Sequence, residues 1–176
     1  MGEVALKNLK RSCKLLYVYD ENRVSVINEN EDNMDLFTDS MDTYLVNLSK
    51  FVETDSDSQR VSTMMQTSTN FERIGDHAMN IMEVAQNIRG GKLEFSDSAK
   101  EELEKVKDAV FEITSITVEA FSSMNSDIAK RVEPLEEVIE LIQILRYRNI
   151  LIQRTTERPD KLLSLHQRLV RLLDIL

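Results

Sequence analysis

The stretch Phe71-Glu72-Arg73-Ile74-Gly75-Asp76-His77-Ala78-Met79-Asn80-Ile81 decides how this chain folds. It lies in a run from about Ser58 to Arg89 with no Pro and a single Gly, which predicts one long helix. At ~100° per residue, Glu72 and Asp76 fall one turn apart on one face, and Asn80 and Glu83 continue it. Like charges at this spacing cost a helix roughly 0.2–0.5 kcal/mol. A sequence that sets them beside an apolar stripe (Met64, Met65, Phe71, Ile74, Ala78, Met82, Ala85, Ile88) has either a solvated acidic face or a cation to hold. Gly75 costs up to ~1 kcal/mol against Ala in a helix, so it predicts close packing against another backbone. His77 points ~100° away from the acidic line and reads as a structural or surface histidine.

The rest of the chain narrows the choice. Its 176 residues hold only 4 Gly and 2 Pro, too few to turn the corners of a sheet protein, and 41% are hydrophobic, enough for a core. A net charge of −9 disfavours a nucleic-acid partner and favours cations or basic partners. Cys13 is the only cysteine, so no internal disulfide forms, which fits a reducing compartment. No apolar run reaches the ~18 residues of a membrane span, and no signal-peptide pattern opens the chain. The segment reads as soluble and cytoplasmic, and is compatible with being the soluble part of a longer membrane protein.

Outward from the central helix, periodicity predicts five more. Helix one covers about Glu3 to Tyr19, with Val4, Leu6, Leu9, Cys13, Leu16 and Tyr17 inward and a basic side of Lys7, Lys10, Arg11 and Lys14. Helix two covers about Asn22 to Val52, with Val26, Ile27, Met34, Met41, Leu45 and Leu48 inward. Its Glu31, Asp35, Asp39 and Asp42 fall within about 80° around the axis, a second acidic stripe. Thr54 to Ser58 is a polar turn rich in N-cap residues, and Gly90-Gly91 is the C-terminal cap of helix three. Ser96 caps helix four, which runs to about Ser122 on a stripe of Val106, Val110, Ile113, Ile116 and Ala120, followed by a turn at 123–126. Helix five covers about Asp127 to Gln153 and bends at Pro134. Helix six starts at Pro159 and is leucine-rich on more than one face, more than closure of one bundle needs, so the surplus also suits a homodimer contact.

The order repeats. An offset of 105 residues lays Glu31 on Glu136 and Asp35 on Glu140, and pairs helices one to three with four to six. The expected fold is therefore all-α: one domain of two antiparallel three-helix bundles related by pseudo-symmetry, residues 1–91 and 92–176. An acidic pair at the same point of both halves is less readily mere surface.

Glu72-Arg73-Ile74-Gly75-Asp76-His77-Ala78-Met79-Asn80-Ile81 resembles the signature of PhoU domains. Residues 93–103, from Leu93-Glu94-Phe95-Ser96-Asp97 to Leu103, look like the start of the second repeat in the cytoplasmic C-terminal domains of bacterial sodium/phosphate cotransporters. Glu31-Asp32-Asn33-Met34-Asp35 and Glu136-Glu137-Val138-Ile139-Glu140 resemble the family's other acidic motif. The likeness spans roughly residues 1–154. It implies regulation of phosphate uptake rather than catalysis, a transporter membrane domain or subunit as partner, and divalent or trivalent metal, often multinuclear iron or zinc, between neighbouring helices. Carried over, the first-half ligands are Glu31, Asp35, Glu72 and Asp76, with Asn80 as a neighbouring polar partner, and the second half offers Glu136 and Glu140. The family repeats its signature on the last helix, and nothing in 155–176 matches it. Either that helix has diverged or its motif is cut off, and any second-half metal is expected to be held less firmly.

Three rival readings differ in kind. A di-iron carboxylate enzyme wants Glu-x-x-His pairs, and neither His77 nor His166 has a Glu three residues before it. A docking bundle would leave its acidic faces solvated. A phosphotransfer module would work through His77.

Overall fold

The computed structural model describes residues 1–132 and 134. Its regular structure is entirely α-helical, with no strand among the described residues. The helices are α1 (Gly2–Leu15), α2 (Glu21–Ser49), α3 (Asp55–Gly90), α4 (Asp97–Ser123) and α5 (Ser126–Ala129). The chain divides into two units, Met1–Arg89 and Gly90–Leu176.

The first unit is a bundle of α1, α2 and α3. Asp20 caps α2 by accepting from the Asn22 N–H, which starts the helix where the sequence turns polar. Thr54 caps α3 reciprocally: its Oγ1 accepts from the Asp57 N–H at 3.1 Å and donates to Asp57 Oδ2 at 2.7 Å. α2 and α3 run antiparallel. Glu21 pairs with Arg89 at one end of the contact, at 3.1 Å, and Met34 faces Gly75 further along. α1 is tied to both. The buried Asn8 donates to the Ile27 carbonyl at 3.2 Å and accepts from Asn30 at 2.8 Å, while Ser68 on α3 donates to the Met1 sulfur. A buried amide with both ends bonded fixes register where an apolar side chain would slide. Around it pack Ala5, Leu9, Ile27, Met34, Phe71, Ala78, Met82 and Val84.

Several helix limits differ from the sequence expectation, each for a local reason. α3 runs through Gly90, and the left-handed residue after it is Lys92 (φ 49°), so neither glycine supplies a positive-φ cap. Close packing at Gly75 is against the Met34 side chain, not a backbone. Val26 and Leu48 lie at the exposed edge of α2, because its inward line runs through Val24, Ile27, Met34 and Leu45.

In the second unit, Ser96 caps α4 by accepting from Ala99 N–H, and Val106, Val110, Ile116 and Ala120 are buried along it. Met124 ends the helix in the left-handed region (φ 52°). The chain then makes only one turn of helix, α5, and breaks at Lys130–Val132 instead of running on to a bend at Pro134. Proline lacks the N–H that would bond the Lys130 carbonyl, and its ring clashes there, so the break precedes it. The remainder of helix five with Glu136 and Glu140, and helix six, lie outside the described residues.

Candidate functional site

Met34 and Gly75 set the frame of the site. A Cβ on Gly75 would stand 3.1 Å from Met34 Cε and 3.5 Å from its sulfur, so the glycine is the floor of a socket for the thioether. Glu31 and Asp35 lie three residues before and one after Met34. Glu72 and Asp76 lie three before and one after Gly75. Antiparallel packing through that socket therefore brings both acidic pairs to the α2–α3 contact.

The electrostatics follow this placement. Partial burial pushes the Glu31 carboxyl up, with Asp35 and Asp32 on its own helix and Asp76 and Glu72 across the contact adding to the rise. Glu72 is raised by burial, then by Asp76, Asp35 and Asp42, against an opposing Arg73. Asp76 is raised by burial and by Asp35, and pulled back by His77 and Arg73. Burial leads in each case; like-charge repulsion comes second, from the same helix for Glu31 and Glu72 and from across the contact for Asp76.

Sequence reasoning assigned Asp42 to the acidic stripe but gave it no place in the site. It acts on Glu72, and its Oδ1 is buried with no hydrogen-bond partner. Its spacing, seven residues beyond Asp35 and so on nearly the same line, was the available signal. Asn80, expected as a polar neighbour, is exposed, as are Asp39 and Glu83.

His77 is buried, and neither ring nitrogen has a hydrogen-bond partner. Desolvation lowers its pKa, and Asp76 only partly offsets this. A phosphotransfer histidine must meet its donor at the surface, so this burial argues against that reading.

The donor set suits a hard or borderline cation: five carboxylates, three of them partly desolvated, and one orphaned buried oxygen. As they stand, the side chains are spread rather than gathered. Among the described residues, no group of three or more His, Cys, Asp or Glu is drawn together tightly enough to hold an ion.

The family model of the PhoU domain matches residues 1–85, which takes in α1, α2 and most of α3, and both acidic pairs of the first unit. No curated protein and no solved structure shows significant similarity to the chain. No helix among the described residues is long and apolar enough to cross a membrane.

Proposed function

We propose that the first unit is a PhoU-type regulatory module that holds a metal cation between α2 and α3 and acts in phosphate homeostasis rather than catalysis. In its finer form the proposal makes this chain the soluble, cytoplasmic domain of a sodium-dependent phosphate cotransporter, its partner being the transporter's membrane domain. A stand-alone phosphate-signalling regulator is the alternative within the same family. The observation that carries the reading is the matched offset of Glu31/Asp35 about Met34 and Glu72/Asp76 about Gly75. These four residues would hold the ion, with Asp42 as a further oxygen donor. The ion supplies the positive charge that the partly buried carboxylates lack. The protein's part is to fix the two helices in register and to half-bury Glu31, Asp42, Glu72 and Asp76, while Asp35 stays exposed. In the second unit, Glu136 and Glu140 are proposed as a weaker site.

The spread of the carboxylates favours a second reading, a docking bundle with solvated acids and no metal. Elemental analysis of protein purified without chelator separates the two, alongside melting with and without added iron, zinc or manganese. Under the metal reading the wild type carries stoichiometric metal and gains roughly 2.7 kcal/mol of stability at a hundredfold excess over Kd. Asp76→Asn loses the metal and the gain, yet its metal-free form is at least as stable as metal-free wild type. A wild type with neither metal nor thermal shift assigns the domain to docking.

A further inference from the structure

Glu31 sits between two points at which α2 is held. Four residues before it, the Ile27 carbonyl accepts from Asn8 of α1 at 3.2 Å; three residues after it, Met34 seats against Gly75 of α3. These anchors are about 10 Å apart along the axis. The methionine anchor is soft, because an unbranched thioether shifts at little cost. The asparagine anchor is not. Asn8 and Ile27 are both 0% exposed, and Asn8 Oδ1 also accepts from Asn30 at 2.8 Å and from Arg11 at 3.4 Å. Turning the amide over would set its NH2 against those two donors and its oxygen against the carbonyl, so one orientation is fixed. In an α-helix the Ile27 carbonyl also takes the N–H of Glu31, so Asn8 grips the turn of backbone that carries this acid. Asn30 and Glu31 stand about 100° apart around α2, with Ile27 and Met34 between them. The grip on the Asn30 side therefore sets the angle at which Glu31, and Asp35 one turn later, present to α3.

We infer that Asn8 is a positioning residue for the cation between α2 and α3: through Ile27 and Asn30 it fixes the rotation of α2 at which Glu31 and Asp35 face Glu72 and Asp76. The inference rests on the metal reading above. Among the described residues the Asn8 side chain bonds to no acid, so it acts only through the helix. An ion demands this precision. A turn of α2 by ~20° carries a side-chain tip through about 2 Å, whereas metal–oxygen distances hold to about 0.2 Å. Apolar contacts resist parting of the helices but not that turn; a pair of directional hydrogen bonds resists both.

The test is calorimetric titration of the intact, metal-stripped chain with Fe2+ (anaerobically), Zn2+ and Mn2+ in turn, well below its melting temperature. The first-unit site is the part of the isotherm that Asp76→Asn removes. Asn8→Leu keeps the volume but breaks the grip, and should weaken that site about tenfold, the lower end of the loss when a ligand's outer-shell partner is removed. It also strands the Asn30 amide, which lowers the melting temperature. Combining it with Asn30→Leu replaces the stranded pair by apolar contact, so the melting temperature should recover while the affinity stays low. Leu15→Ala, in the α1 core away from the grip, should lower the melting temperature with the affinity unchanged. Affinity that follows the melting temperature, lost in Leu15→Ala or regained in the double variant, overturns the inference and leaves Asn8 a packing residue. Wild-type affinity in Asn8→Leu overturns it too, and in either case the metal reading stands. A wild type that binds none of the three ions, or whose binding Asp76→Asn leaves untouched, removes the metal reading and this inference with it.

Discussion

The two ends of the α2–α3 hairpin are built from the same helices and live in different surroundings. At the end near Glu21 and Arg89, α1 lies across the pair and Asn8 locks the register. At the end near Phe51 and Asp55, α1 does not reach the pair, and large apolar side chains are exposed. An inward stripe on a helix is thus a property of the neighbours it meets. Leu45 and Tyr44 are adjacent in sequence, yet one is 3% exposed and the other 64%.

That pair gives the largest expected contrast. Leu45→Ala leaves a cavity between α2 and α3 and should cost about 2–5 kcal/mol. Tyr44→Ala should change stability by less than about 0.5 kcal/mol. Urea unfolding of both variants checks it. Equal losses would mean that the Tyr44 side of α2 is covered in solution, and the distinction between the ends would fall.

The spacing of the acids and the all-helical class were legible because periodicity is local, whereas Thr54 to Ser58 read as a turn and residues 55–58 already form the first turn of α3. Which side of α2 would be covered was not legible, because Val26 and Leu48 read as inward by period alone. Leu48 lies beyond the level where α1 starts, whereas Val26 lies level with the Asn8–Ile27 hydrogen bond and is left at the edge by its angle around α2. Asp42 was visible as a member of a stripe, but the burial of its Oδ1 is a property of the packed pair of helices. The break before Pro134 was placed too late because the pattern of apolar residues runs on through it, while the proline acts on the residues before it.

A second, smaller contrast is between the acids and His77 as pH falls. Glu31, Glu72 and Asp76 titrate above their ordinary values of 4.5, 4.5 and 3.8 in the folded chain. Near those values the folded state holds more protons than the unfolded, so metal-free stability rises as pH drops through the folded pKa values. His77 titrates below 6.5 when folded, so the unfolded chain takes its proton first and stability falls as pH drops below 6.5. Thermal melts of metal-free protein should show a loss from neutral pH downward, then a partial recovery at the carboxylates. In Asp76→Asn part of the recovery should vanish, and at neutral pH that variant should gain about 0.5 kcal/mol by removing like-charge contacts. A wild type that weakens steadily down to pH 4 would mean that burial and repulsion do not raise these acids as placed.

The finest test lies in the socket that joins the two acidic pairs. Gly75→Ala should gain up to ~1 kcal/mol from helix propensity. Against this stands a Cβ 3.1 Å from Met34 Cε, tighter than ordinary contact but against the far end of an unbranched side chain. A methionine terminus shifts by a few tenths of an ångström at little cost, so the opposing effects should nearly cancel and leave a net change below about 0.5 kcal/mol. Gly75→Leu has no such escape: its branched side chain displaces Met34 altogether and should cost about 1–3 kcal/mol. The pair separates two reasons for a glycine here. If alanine were as costly as leucine, the helices would be held together through backbone approach and the thioether socket would be incidental. If alanine is tolerated, the spacing of α2 and α3, and with it the distance between Asp35 and Glu72, is set by how deeply Met34 is seated.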